Sequence, residues 1–172
     1  VRAAHHAHVA GGPALTDVRV AQGVYHPDEG PNLTAERRDT SFVLEVPDLR
    51  LRGGFANGDG LSDRNPELKK TILSGDIDAD NGGGDTDPNG DGIIARYGDI
   101  AGSNSYHVVE SRLPSGNTAE LNGVVVTAGQ ADGGSAPTNE GGGLWGEPSS
   151  GSPEIIRTVF SGNDAAQRGG AL

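Results

Sequence analysis

Short apolar runs broken by turn residues set the rhythm of this chain. Runs at 17–21 (DVRVA), 41–46 (SFVLEV), 49–52 (LRLR), 71–73 (TIL), 105–109 (SYHVV), 119–127 (AELNGVVVT) and 153–160 (PEIIRTVF) are each closed by turn-forming residues. They are rich in β-branched residues and too short for helices, so they predict strands. DVRVA and LRLR alternate with period two, the mark of a strand with one buried face. Residues 1–12 (VRAAHHAHVAGG) differ. Their alanines favour helix and Gly11-Gly12-Pro13 would stop one, so residues 1–16 predict the remnant of a helical cap. No stretch after residue 16 has a helical period. The chain reads as all-β.

Repetition then suggests an architecture. Gly141-Gly142-Gly143-Leu144 returns as Gly169-Gly170-Ala171-Leu172, with Phe160-Ser161-Gly162-Asn163 between them. Leu121-Asn122-Gly123-Val124-Val125-Val126 likewise aligns with Ile155-Ile156-Arg157-Thr158-Val159-Phe160. A repeat of this length, carrying one or two short strands, describes a solenoid turn that must stack on a neighbour to bury its apolar face. The inward candidates are Val18, Val20, Leu49, Leu51, Leu121, Val126, Ile155 and Phe160.

GGGL and GGAL, with FSGN between them, resemble the two short motifs of polymorphic outer membrane protein repeats. VRVAQGVYHPD, LRLRGGF, TILSGDI, NSYHVV and LNGVVVTAGQA are similar to phrases in secreted bacterial proteins of the pectate-lyase-like superfamily. The resemblance covers about residues 17–172. It implies a right-handed parallel β-helix (β-solenoid), export, and a place on the bacterial cell surface or outside the cell. It does not imply one activity, because the group spans adhesins, autotransporter passengers, polysaccharide lyases and hydrolases.

Composition narrows the function. At 172 residues the chain suits one domain. Glycine accounts for 29 residues and proline for 10, a loop-rich balance. Cysteine is absent, so neither disulfides nor thiolate metal sites hold the fold. The net charge of −11 argues against nucleic acid, which needs a basic footprint, and favours cation binding. No apolar run approaches the roughly 18 residues of a membrane span. Residue 1 is not Met, so a processed chain or a piece of a longer one is expected. The chain also stops at the start of a further repeat, so more repeats or a second copy would be needed to cover that edge.

The sharpest chemical feature is residues 76–99, DIDADNGGGDTDPNGDGIIARYGD, within an insertion over 76–104. Seven of the chain's 15 aspartates lie here. Asp76, Asp78 and Asp80 alternate, and so do Asp85, Asp87, Asn89 and Asp91, with Gly90 and Gly92 among them. Calcium takes six to eight oxygen ligands, which alternate Asp and Asn positions in a glycine-bent loop can supply. An EF-hand is excluded. Counted from Asp85, the closing twelfth position is Arg96; counted from Asp87 it is Gly98, with Asp99 one place late. The expectation is a structural Ca²⁺ held among Asp76, Asp78, Asp80, Asp85, Asp87, Asn89, Asp91 and Asp99, ordering a loop with few apolar residues of its own.

Other candidates carry less. His5 and His8 would share a helix face, but an exposed helix end explains them. His107 is a lone histidine in a strand, best read as structural. Asn122 and Asn163 sit at turns, where Asn forms stacked ladders or takes left-handed angles. Trp145 could stack on a sugar, although packing is the simpler role. No nucleophile elbow, phosphate loop or HExxH pattern is present. Arg96 is the one candidate base, so catalysis is not expected and no catalytic residue is assigned. The sequence therefore points to a structural module of an exported surface or extracellular protein, in adhesion or assembly, with head-to-tail self-association into fibres as an option. The alternative is a polysaccharide-binding or polysaccharide-degrading domain with surface polysaccharide as partner.

Overall fold

The computed structural model describes residues 17–30, 33–34, 37–78 and 84–172. The predicted helix and its His5, His6 and His8, together with Asp80, lie outside the described residues. Within them the protein is mostly β. Helix is limited to 3₁₀ turns such as Leu61–Asp63 and Tyr97–Asp99.

Among the described residues thirteen short strands follow one another: β1 Asp17–Ala21, β2 Gly23–Tyr25, β3 Phe42–Leu44, β4 Arg50–Phe55, β5 Thr71–Ser74, β6 Val109–Ser111, β7 Glu120–Asn122, β8 Val125–Thr127, β9 Gln130–Ala131, β10 Leu144–Gly146, β11 Glu154–Ile156, β12 Val159–Ser161 and β13 Asp164–Ala165. Consecutive strands join different sheets. The first sheet has the order β1-β4-β7-β11, the second β2-β5-β8-β12, the third β3-β6-β10, and β9 pairs with β13. Every strand pairing is parallel. Each time the chain returns to a sheet, it lays a strand beside its predecessor there.

Register places like upon like. Val18, Leu51, Leu121 and Ile155 form one row across the first sheet. Tyr25, Leu73, Val126 and Phe160 form another across the second. These two rows meet Leu44, Val46, Leu49, Val108, Val109 and Leu113 in one core. Of the eight predicted inward residues, Leu49, Leu51, Leu121 and Val126 are fully buried, and Val18, Val20, Ile155 and Phe160 pack against them half-buried. The glycine repeat stacks too. The amides of Gly142, Gly143 and Leu144 donate to the carbonyls of Gly169, Gly170 and Ala171. A Cβ on Gly142 would come within 2.1 Å of the Asp164 carbonyl oxygen, so close backbone approach requires glycine there.

The boundaries depart from the sequence reading at corners. Runs 119–127 and 153–160 each split in two, at Gly123 (φ +69°) and at Arg157 (φ +47°). Both residues turn the chain from the first sheet into the second. Arg64 fills the bend at Gly123, donating from Nε to the Gly53 carbonyl (2.8 Å) and from Nη2 to Asn122 Oδ1 (2.6 Å). The run at 105–109 predicts a strand from residue 105, but β6 starts at Val109. Ser105 donates instead to Gly75, and Tyr106 to Arg38, so this segment bridges sheets rather than extending one.

The outward side of the second sheet is unusual. Its rows are Val24–Ile72–Val125–Val159 and Ser74–Thr127–Ser161. Ile72 and Val125 are buried although they face away from the core. A strap from the acidic insertion covers part of this side, over Ile72 and Thr127. A Cβ on Gly92 would lie 2.6 Å from Val24 Cγ2 and 3.4 Å from Ile72 Cδ1. The Ile94 amide donates to Thr127 Oγ1 (3.0 Å), and Ser161 Oγ donates to the Ile94 carbonyl (2.8 Å).

Leu121 sits at 0% exposure between Leu51 and Ile155. Leu121→Ala should therefore cost about 2–5 kcal/mol, read as a lower urea midpoint. Val159→Ala, at a side chain 51% exposed, should cost under about 1 kcal/mol. Equal losses would contradict this placement of the core.

Candidate cation site at the neck of the acidic insertion

The insertion leaves the second sheet after Ser74 and rejoins the chain near Asn104. Its two ends are tied together. Asp76 and Asn104 form an isolated antiparallel bridge, and the Ile77 amide donates to the Ser103 carbonyl (3.1 Å). Residues directly opposite in such a bridge put their side chains on one face. Asp76 and Asn104 thus share a buried face at the neck.

Two more aspartates close in. Asp85 Oδ1 accepts from the Ala101 amide (2.6 Å) and Oδ2 from Asn104 Nδ2 (2.8 Å), while the Asp85 amide donates to Asp76 Oδ2 (3.2 Å). Asp78 Oδ2 accepts from the Ser103 amide (2.9 Å). The Asp76 and Asp78 carboxyls lie against each other. After these bonds, Asp76 Oδ1, Asp78 Oδ1 and Asn104 Oδ1 are buried without a partner. Among the described residues Asp76, Asp78 and Asp85 form no ion pair.

The electrostatics follow from this crowding. Burial pushes the Asp85 carboxyl up to about 6, against the pull of the Ala101 amide and the Asn104 side chain. Burial also raises Asp76, and the neighbouring Asp78 adds to the rise. The neck thus concentrates negative charge with little solvent to spread it.

The predicted ligand set divides here. Asp76, Asp78 and Asp85 come together. Asp87, Asn89 and Asp91 do not join them. Asp87 accepts from the amides of Asn89, Gly90 and Gly92, closing a turn on itself, and Asp91 Oδ1 accepts from the Ile93 amide. Asn89 and Asp91 are exposed. Asp99 enters through its backbone, its carbonyl accepting from the Thr86 amide. Among the described residues no three His, Asp or Glu side chains group as a metal cage. The open oxygens are two carboxylates and one amide. Asn104 was missed because no pattern joins it to the aspartate run. Its sequence neighbourhood reads as a strand entry, and only the bridge brings it back to Asp76.

The other candidates lie away from the neck. Asn163 Oδ1 accepts from the Gly129 amide (2.9 Å) and Nδ2 donates to the Val126 carbonyl (2.9 Å), a hook onto the preceding layer. Arg96 is exposed. Trp145 stacks on His107 with ring centroids 5.5 Å apart. Comparison with models of protein families, with curated proteins and with solved structures found no match. No helix among the described residues is long and apolar enough to cross a membrane.

His107 yields a pH prediction. Burial lowers its proton affinity, although the Gly141 carbonyl and Glu110 pull the other way. The unfolded chain therefore takes up this proton first, and the stability due to neutral His107 is lost as pH falls from about 6.5. His107→Gln should reduce the drop in thermal midpoint between pH 7 and pH 5, followed by Trp145 fluorescence. An identical drop in both proteins would contradict the assignment.

Proposed function

We propose that this chain is a right-handed parallel β-helix serving as a structural module of an exported bacterial surface or extracellular protein. It acts in adhesion or assembly, with calcium ordering the acidic insertion. The observation that carries this reading is the repetition of the same rows from layer to layer, all in parallel register. Each layer offers its neighbour a matching set of apolar side chains and backbone donors, so stiffness comes from stacking rather than from a closed core. A layer from a second copy would continue the rows as well as one from the same chain, which makes head-to-tail fibres available. The row Val24–Ile72–Val125–Val159 illustrates the match. Its outer members are half-exposed valines, 41% for Val24 and 51% for Val159.

The test is electron microscopy of the protein in calcium over a concentration series. The reading predicts rods that lengthen with concentration and are blocked by Val159→Lys together with Val24→Lys, because charges at strand edges oppose pairing. Particles of one size at every concentration, or rods indifferent to both lysines, would overturn the assembly role.

A further inference from the structure

We infer that a hard divalent cation, calcium by its donor set, is held at the neck by Asp76 Oδ1, Asp78 Oδ1 and Asn104 Oδ1, and that this ion clamps the strap onto the second sheet. The inference rests on the reading that calcium orders the insertion. It moves the ion away from the repetitive DTDPNGDG stretch that suggests one.

Three buried oxygens point to it. Asp76 is 8% exposed and Asn104 0%, and the open oxygen of each lacks a donor. A buried acceptor left unpaired costs about 1–3 kcal/mol, more when charged. Here two of the three belong to adjoining carboxylates. The amides of Asp85 and Ser103 go to the other oxygens of Asp76 and Asp78, the Ala101 amide goes to Asp85 Oδ1, and the buried Ser105 hydroxyl bonds none of the three. Arg38 approaches but gives its protons to the carbonyls of Asn104 and Gln130 and to Asp132. His26 reaches the backbone carbonyl of Asp76, not its side chain.

The Asn104 amide can face only one way. Its Nδ2 donates both to Asp85 Oδ2 (2.8 Å) and to the Ala128 carbonyl (2.9 Å). Turning the group over would set its oxygen against two acceptors, so Oδ1 is the atom left buried without a donor. Oxygen-only donors suit calcium rather than zinc or copper. A shell of six to eight would need further oxygens, from water or carbonyls, beside these three.

The same residues govern the strap. The neck fixes both ends of the segment whose Gly92 and Ile94 lie over Val24, Ile72, Thr127 and Ser161. Without the ion, repulsion between Asp76 and Asp78 pushes the neck apart. The strap then loses its anchor, and the outward row of the second sheet is uncovered.

Calorimetric titration of the full chain with calcium chloride tests this, alongside Asp78→Asn and Asp87→Asn. Wild type and Asp87→Asn should bind one calcium, and Asp78→Asn should bind at least about tenfold more weakly, having lost a charged ligand. Asp78→Asn keeps an oxygen for the Ser103 amide and offers a donor to Asp76, so it should melt no lower than wild type in chelator. It should then gain far less from added calcium. Loss of binding in Asp87→Asn with retention in Asp78→Asn would overturn the neck site while leaving a calcium-ordered insertion. No uptake by wild type would overturn both. Equal calcium-induced gains in melting temperature for wild type and Asp78→Asn would overturn the neck site alone.

Discussion

Parallel in-register pairing is the constraint on which the rest of this structure depends. Once β4 lies beside β1 and β7 beside β4, each residue inherits the environment of its partner one layer away. Leu121 must be apolar because Leu51 and Ile155 flank it. The same pairing explains the glycines. Backbones in neighbouring layers approach so closely near Gly142 that any side chain would strike a carbonyl. Turns are settled there as well, since Gly123 and Arg157 both bend the chain with positive φ between the same two sheets.

The second sheet carries apolar residues on both faces, a pattern that parallel sheets tolerate only when both are covered. Here the outer cover comes from an insertion with little core of its own. Its hold on the sheet includes Gly92 against Val24 and Ile72, the buried Ile94 against Gly162, and the bonds joining Ile94 to Thr127 and Ser161. The ends of this strap are fixed as well. The neck supplies the fixing through the Asp76–Asn104 bridge and the two-sided grip on Asp85, but it brings carboxylates together to do so. The proposed cation resolves that conflict. It neutralises the charge that crowding creates and makes the cover of the second sheet depend on the ion.

Much of the fold is legible in the sequence because stacking writes itself as repetition. The alignment of Leu121 with Ile155 and of Val126 with Phe160 is the observed register, and GGGL lies on GGAL. The corners were not legible. A positive φ at Gly123 is an ordinary glycine property, but the equivalent at Arg157 has no sequence mark, and continuous apolar runs hide the break between two sheets. The strap was equally hidden. Residues 91–94 (DGII) look like the tail of an acidic loop, and their destination is fixed by hydroxyls on Thr127 and Ser161. For the candidate site, the aspartate pattern runs through two environments that the structure separates, the neck and the turn closed by Asp87. Local spacing identifies Asp87, which bonds its own turn. It cannot identify Asn104, which joins Asp76 and Asp85 through chain return.

Amide hydrogen exchange, compared in calcium and in chelator, reads the strap and the stacked rows in one experiment. With a cation clamping the strap, chelation should strip protection from the Ile94 and Ser103 amides while Leu51, Leu121 and Val126 keep theirs. Protection at Ile94 and Ser103 that is the same in both conditions would contradict a cation-clamped strap.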